Sequence, residues 1–273
     1  MDSDDLCTYG VADGIATLTF NRPDSMNGMT GNMEVAYFER LLQAEVDPDV
    51  RVIVVTGAGR AFCPGADLAH RAGPDDQPLP NTKLARTLPL DIDKPMIAAI
   101  NGACAGVGLA YALQCDLRFA TTKAKFTTAF SRRGLIGEYG MAWLLNAIAG
   151  RQVALDLLLS ARVVQGAEAA DLGIISAAFE ADALMDHVLG YAGDLAANVS
   201  PASMATIKHQ INHEPVLGAH RATEHAEALM RESLAGSDVQ EGIASFLEKR
   251  QVLFPPLGQG TRFDWMSHRE PGD

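Results

Sequence analysis

The chain has 273 residues, enough to bury a sizeable core as one large domain or as a domain with an appendage. Hydrophobic residues make up 48% of it and the formal net charge is −12, so no basic stripe is available to displace phosphate counterions, which argues against nucleic acid as a partner. No apolar run approaches the ~20 residues that span a bilayer, and the start MDSDDLCTYG lacks a signal peptide's basic flank and apolar centre; a cytoplasmic protein with no membrane partner is expected.

Leu6 to Val11 and Ile15 to Phe20 flank Asp13-Gly14, which predicts an antiparallel hairpin. Asn21-Arg22-Pro23-Asp24 ends the second strand, and Thr30 is the expected N-cap of a helix whose apolar positions are Met33, Tyr37, Phe38, Leu41 and Leu42. Asp47-Pro48-Asp49 ends that helix. The β-branched run Val52 to Val55 then reads as a central parallel strand.

Thr56 to Leu68, TGAGRAFCPGADL, begins like a dinucleotide fingerprint at Gly57-Ala58-Gly59, but Phe62 stands where that pattern needs a third glycine. A second glycine turn follows at Pro64-Gly65-Ala66-Asp67. Gly73 to Leu90, rich in Pro, Asp and Gln and without periodicity, is expected to be a mobile surface loop bordering the site.

The central stretch is Pro95 to Asp116, PMIAAINGACAGVGLAYALQCD. Met96 to Ile100 reads as a strand buried on both faces, and Leu109 to Cys115 as a buried helix. Gly106 and Gly108 bracket the turn between them, so unpaired N–H groups and the helix dipole are presented at one point. Such a point holds an anion, or an oxygen that becomes one during a reaction; close packing with small residues explains the same pattern equally well. If the N–H groups of the turns at Gly65 and Gly106 converge, they form a two-donor oxyanion hole.

Cys7, Cys63, Cys104 and Cys115 have neither zinc nor disulfide spacing and are expected to be free, buried thiols. His209 and His213, one helical turn apart, are expected on a solvated face rather than at a metal. Ser200-Pro201 opens a helix, and Ser237 with Gln240 forms a capping box for another. The tail LGQGTRFDWMSHREPGD suggests no function.

Six segments in order carry a resemblance: NRPDSMNGMT from Asn21, GAGRAFCPGADL from Gly57, KPMIAAINGACAGVGLAYALQCD from Lys94, FTTAFSRRGLIGEYG from Phe126, ARVVQGAEAADLGII from Ala161 and DVQEGIASFLEKR from Asp238. The chain resembles the crotonase superfamily, the enoyl-CoA hydratase/isomerase family, over most of its length. The resemblance implies an α/β fold with a coiled core of repeated ββα units in residues 1–199, and a helical oligomerisation region in residues 200–273 that builds homotrimers or hexamers. It implies an acyl-CoA substrate and no cofactor or metal beyond the coenzyme A that the substrate carries.

The matching oxyanion donors are the amides of Ala66 and Val107. The second position is usually glycine, but any residue except proline supplies the N–H. The implied substrate contacts are Arg22, Ala66, Asp67, Leu68, Gly106, Phe130 and, for a CoA phosphate, Lys249; a turn-bracing role for Asp67 and a solvated position for Lys249 are the plainer readings. Where family hydratases carry two glutamates, this chain has Ala110 and Phe130, neither able to move a proton. One acid remains nearby, Glu138, at the place where family Δ3,Δ2-enoyl-CoA isomerases carry their single carboxylate. Ile136, Tyr139, Met141 and Trp143 are expected to surround it with apolar surface, which favours general-base work; capping the helix near Gly140 is its plainer role. Arg132 and Arg133 flank the segment, where surface ion pairs are the commoner outcome. Double-bond isomerisation is the favoured expectation, with single-carboxylate hydration and a silent acyl-CoA-binding or assembly subunit as alternatives.

Overall fold

β1 (Cys7–Ala12) and β2 (Ile15–Phe20) form the expected antiparallel hairpin, and Asp13 (φ 51°) and Gly14 (φ 78°) take the left-handed conformations that a two-residue turn between twisted strands requires. The computed structural model describes residues 6–67 and 85–267. Thr30 caps α1 (Gly31–Val46) by accepting from the Met33 amide at 3.3 Å. Met33, Tyr37, Phe38 and Leu41 of α1 are buried against the hairpin's sheet, whereas Leu42, one position off that stripe, is exposed.

The next elements alternate between two sheets. β3 (Val52–Gly57), then β4 (Ala61–Cys63), leads through a segment outside the described residues to α2 (Leu88–Asp91). β5 (Met96–Ile100), β6 (Ala103–Ala105) and α3 (Val107–Gln114) repeat the strand–strand–helix unit, and β7 (Leu117–Thr121), β8 (Lys125–Thr127) and α4 (Met141–Ser160) repeat it again. β9 (Val164–Gln165), α5 (Gly166–Asp171), β10 (Ala177–Phe179) and α6 (Leu184–Asn198) close the core. β1-β2-β3-β5-β7-β10 make a six-stranded sheet, parallel from β2 onward, and β4-β6-β8-β9 make a four-stranded sheet.

Parallel strands covered on both faces need apolar side chains at every position, and β3 and β5 have them. Ile53, Val55, Met96, Ala98 and Ile100 point into the main core shared with α1 and α3. Val52, Val54, Ile97 and Ala99 point the other way, onto Val188, Ala192 and Ala196 of α6. All four cysteines are free and buried, as expected.

Three expectations are corrected here. Residues 73–84 of the expected loop lie outside the described residues, but Leu88 to Leu90 belong to α2, whose Leu88 and Pro89 are buried. α4 has the length and mean hydropathy of a membrane span, contrary to the sequence reading, but Gly150 (φ 80°, ψ 164°) interrupts it, and Arg151 and Asp156 lie in its second half. Neither half reaches the ~20 residues a span requires.

The third correction concerns the C-terminal helices α7 (Pro201–His213), α8 (Ala219–Ala235) and α9 (Ser237–Glu248). Ser200 caps α7 as expected, accepting from Ser203 N at 3.1 Å. Ser237 forms no capping box, because it is already helical, with Gly236 at the cap. Instead the hydroxyl of Thr261, from the tail, accepts from Asp238 N at 3.1 Å, and the buried Asp238 carboxylate accepts from Ser200 Oγ at 2.5 Å and Thr261 N at 2.8 Å. The tail therefore has a structural account: it is strapped across α7 and α9, with Phe263 buried.

Trp265 extends that strap. Its ring stacks on His209 at 4.3 Å, with His213 on the imidazole's other side at 4.2 Å, so His209 is half-buried rather than solvated. Burial, followed by the charges of His213 and His225, pushes the His209 pKa down from 6.5 to about 4. The folded value lies below the unfolded one, so the unfolded chain takes up the proton first as pH falls. Stability from this stack is complete above pH 6.5 and is lost progressively toward pH 4. In a Trp143→Phe background, which leaves Trp265 as the sole indole, thermal melts followed by fluorescence are expected to shift down between pH 7 and pH 5. His209→Phe should remove most of that shift; an unchanged shift would show that other groups cause it.

Candidate active site

Adjacent parallel strands release the chain at the same sheet edge, which is where ligand sites of parallel sheets form. β4 pairs with β6 (Cys63↔Cys104), and β6 pairs with β8 (Ala105↔Thr127). Beyond their ends, Pro64 to Ala66, Gly106 to Val107 and Thr128 to Phe130 line one pocket, whose remaining wall is Arg133, Leu135, Glu138 and Tyr139. The two glycine turns touch: a Cβ added at Gly65 would lie 3.3 Å from the Ala105 carbonyl oxygen, and one at Gly106 would lie 3.6 Å from the Gly65 Cα.

Both turns leave an amide for a ligand. Ala66 pairs with Met29 as an isolated bridge in which Met29 N donates to Gly65 O (2.8 Å) and Asp67 N donates to Met29 O (2.9 Å). Those two bonds straddle Ala66, whose own N–H has no acceptor among the described residues. Val107 is the first residue of α3, so its N–H has no intrahelical partner, and the Gly106 cap offers no side chain. Two backbone donors and a helix N-terminus thus face one pocket, an arrangement suited to an oxygen that carries negative charge.

The surroundings hold these turns in place. A Cβ at Gly108 would lie 2.1 Å from the Cys63 carbonyl oxygen, so only glycine lets α3 start this close to β4. Asn27, fully buried, donates from Nδ2 to Ala58 O (2.9 Å) and Ala61 O (2.7 Å) and accepts from Arg22 N (2.8 Å). Arg22 donates to Gly28 O and pairs with Asp67 at 2.9 Å. Among the described residues neither Arg22 nor Asp67 lines the pocket; their ion pair braces the Ala66 turn. Cys63 lies behind the turn, where burial pushes its thiol up to about 12 and keeps it protonated.

Of the other expected contacts, Gly106 and Phe130 line the pocket, Leu68 lies outside the described residues, and Lys249 is an exposed left-handed residue closing α9, away from the pocket lining. Ala110 is buried inside α3. Arg132 donates to Ser160 O at 2.9 Å and Arg133 to Ala129 O at 3.0 Å, so these bonds go to carbonyls.

Glu138 lines the pocket and gives no capping bond to α4; only its backbone carbonyl accepts, from Met141 N at 3.0 Å. Among the described residues the expected apolar enclosure is incomplete: of the four expected neighbours only Tyr139 lines the pocket with Glu138. Ile136 is 81% and Trp143 61% exposed, Met141 faces the core, and Glu138 itself is exposed. The reason is local: one helical turn cannot aim both Met141 and Trp143 the same way, and burial of Met141 turns Trp143 outward. Tyr139, expected only as part of the apolar surroundings of Glu138, does line the pocket beside it, as do Thr128, Ala129 and Leu135, which sequence reading did not single out.

A close pair of strand-exit turns, each leaving a backbone amide at one pocket, sits here on a crotonase fold. The chain belongs to the enoyl-CoA hydratase/isomerase family, whose model matches residues 10–256. It is 34% identical over 253 residues to the 1,2-epoxyphenylacetyl-CoA isomerase of Escherichia coli, covering 89% of this chain and 96% of that protein. It is 35% identical over 265 residues to the (E)-benzylidenesuccinyl-CoA hydratase of Thauera aromatica, covering 90% and 98%. Among solved structures, a probable enoyl-CoA hydratase/isomerase from Mycobacterium abscessus superposes with a TM-score of 0.83 at 27% identity, covering 92% of this chain and 98% of that one.

Proposed function

We propose that this enzyme moves the double bond of an enoyl-CoA thioester between the 3 and 2 positions, with Glu138 as the sole acid–base group and the amides of Ala66 and Val107 as the oxyanion donors. The observation that carries this reading is the pocket lining: Glu138 is the one carboxylate beside those amides among the described residues. Relatives bear both isomerase and hydratase names, so family membership leaves the reaction open, and the single acid in the pocket lining supports isomerisation. In the forward step the Glu138 carboxylate takes a proton from C2 of a 3-enoyl thioester, and the C–H electron pair moves into the thioester as a dienolate. The two amides stabilise the oxygen that gains the charge. The carboxylic acid then returns the proton to C4, leaving the double bond at C2 and the carboxylate restored. No water is consumed.

Hydration is the second reading, favoured by the solvent exposure of Glu138, which gives water access to the same carboxylate. Incubating the enzyme with 2-enoyl- and 3-enoyl-CoA thioesters and identifying products by mass separates the two. Interconversion without gain of water is expected; a 3-hydroxyacyl thioester as the main product would replace isomerisation by hydration. We also propose that a neighbouring subunit of a trimer or hexamer supplies the missing enclosure, since Ile136, Leu159, Phe246 and Leu253 are each more than two-thirds exposed.

A further inference from the structure

Residues 131–140 carry Glu138 on an exposed segment in which only Gly137 and Tyr139 are even half-buried. Three glycines, at 134, 137 and 140, make that segment costly to order, so the side chain that anchors it decides where Glu138 stands. Tyr139 is that anchor, and it holds a left-handed conformation (φ 57°) that a tyrosine adopts only when its surroundings enforce it. Its carbonyl accepts from Gln114 Nε2 at 3.3 Å. Its ring meets Tyr111 edge-on at 5.6 Å, and the Arg86 guanidinium lies 5.1 Å over its face.

Beneath these groups lies a carboxylate that the isomerase reading does not use. Glu34, on the first turn of α1, has a side chain only 1% exposed. It accepts from Tyr111 Oη at 2.5 Å and faces Arg86 Nε at 3.7 Å. Both of these partners, Tyr111 and Arg86, are the ones that pack on the Tyr139 ring; burial, then the Glu34 charge, raise the pKa of the Tyr139 phenol. A buried carboxylate persists only when its charge is compensated, and here the Tyr111 phenol and the Arg86 guanidinium do so. An amphipathic helix has no need of a glutamate on its buried face, so a specific polar contact has to account for it.

We propose that Glu34 is a positioning residue for the acid–base group: its carboxylate holds the Tyr111 phenol and the Arg86 guanidinium against the Tyr139 ring, and Tyr139 fixes the adjoining Glu138 at the pocket. The inference rests on the isomerase reading of Glu138. Tyr111→Phe keeps the ring and removes the bond to Glu34, while Glu34→Gln keeps the shape and removes the charge. Steady-state kinetics on a 3-enoyl-CoA thioester should show kcat falling about tenfold or more in each variant, because a misplaced catalytic group costs rate steeply. KM should stay within about two-fold, since thioester binding is not what these residues supply. The double variant should be no slower than the slower single one, as expected for residues acting through one contact. Wild-type kcat in either folded variant, losses that multiply, or a loss confined to KM would overturn the proposal. If Glu34→Gln does not fold, Tyr111→Phe decides alone. Glu138→Gln separates the two levels. If it keeps full activity, the isomerase reading and this inference fall together. If it is inactive while Glu34→Gln has wild-type kcat, the positioning role alone fails.

Discussion

Glu138→Gln is expected to lower the isomerisation rate by roughly 10³-fold, within the 10²–10⁴ that a positioned acid–base group supplies. The amide keeps the shape and polarity of the side chain but cannot accept a proton from C2. Because the Glu138 side chain caps no helix, the substitution removes no structural bond from α4, and the melting temperature should be unchanged. Substrate affinity should hold as well, since the free amides of Ala66 and Val107 remain. Measuring kcat, KM and thermal melting together checks each part. A variant with near-normal kcat would remove Glu138 from the chemistry whatever its position in the pocket.

Val107→Pro tests the other half of the site. Proline is favoured at the first position of a helix, where its missing N–H has no helical partner to lose and its fixed φ suits the turn. The substitution therefore deletes one oxyanion donor while leaving α3 able to form. A lost donor of this kind costs on the order of 10²–10³ in kcat. The loss should fall on kcat more than on KM, because charge on the thioester oxygen is largest after C2 deprotonation. Circular dichroism confirms that the fold survives, and unaltered kcat in a folded variant would mean that the Val107 amide does not face the reacting oxygen.

The reasons these groups meet are only partly readable from the residues alone. Local chemistry was legible: Asp13-Gly14 dictates a hairpin, Thr30 a cap, and five consecutive apolar residues from Met96 a strand covered on both faces. Both glycine turns were visible too. Their meeting was not, because it depends on β4 pairing with β6 about forty residues away, and a three-residue strand carries too little pattern to specify its neighbour. Glu34 was invisible for the opposite reason, since a glutamate near a helix start reads as a favourable charge at the dipole rather than as a buried acceptor for Tyr111. The expected shelter of Glu138 failed because adjacency in sequence does not put Ile136 and Trp143 on its side of the chain. The tail's attachment through Thr261, Phe263 and Trp265 has no periodicity to reveal it.

All of this chemistry depends on one carboxylate and two amides acting on the same thioester. The most direct measurement is proton exchange at C2 of a bound 3-enoyl-CoA thioester in D₂O, followed by NMR in wild type and in Glu138→Gln. Because the exposed Glu138 carboxyl can trade its proton with D₂O before returning it, deuterium should enter C2 and C4 in wild type, and neither position with the variant. Exchange that persists without Glu138, or a wild-type enzyme that binds the thioester yet neither exchanges nor isomerises it, would contradict the account.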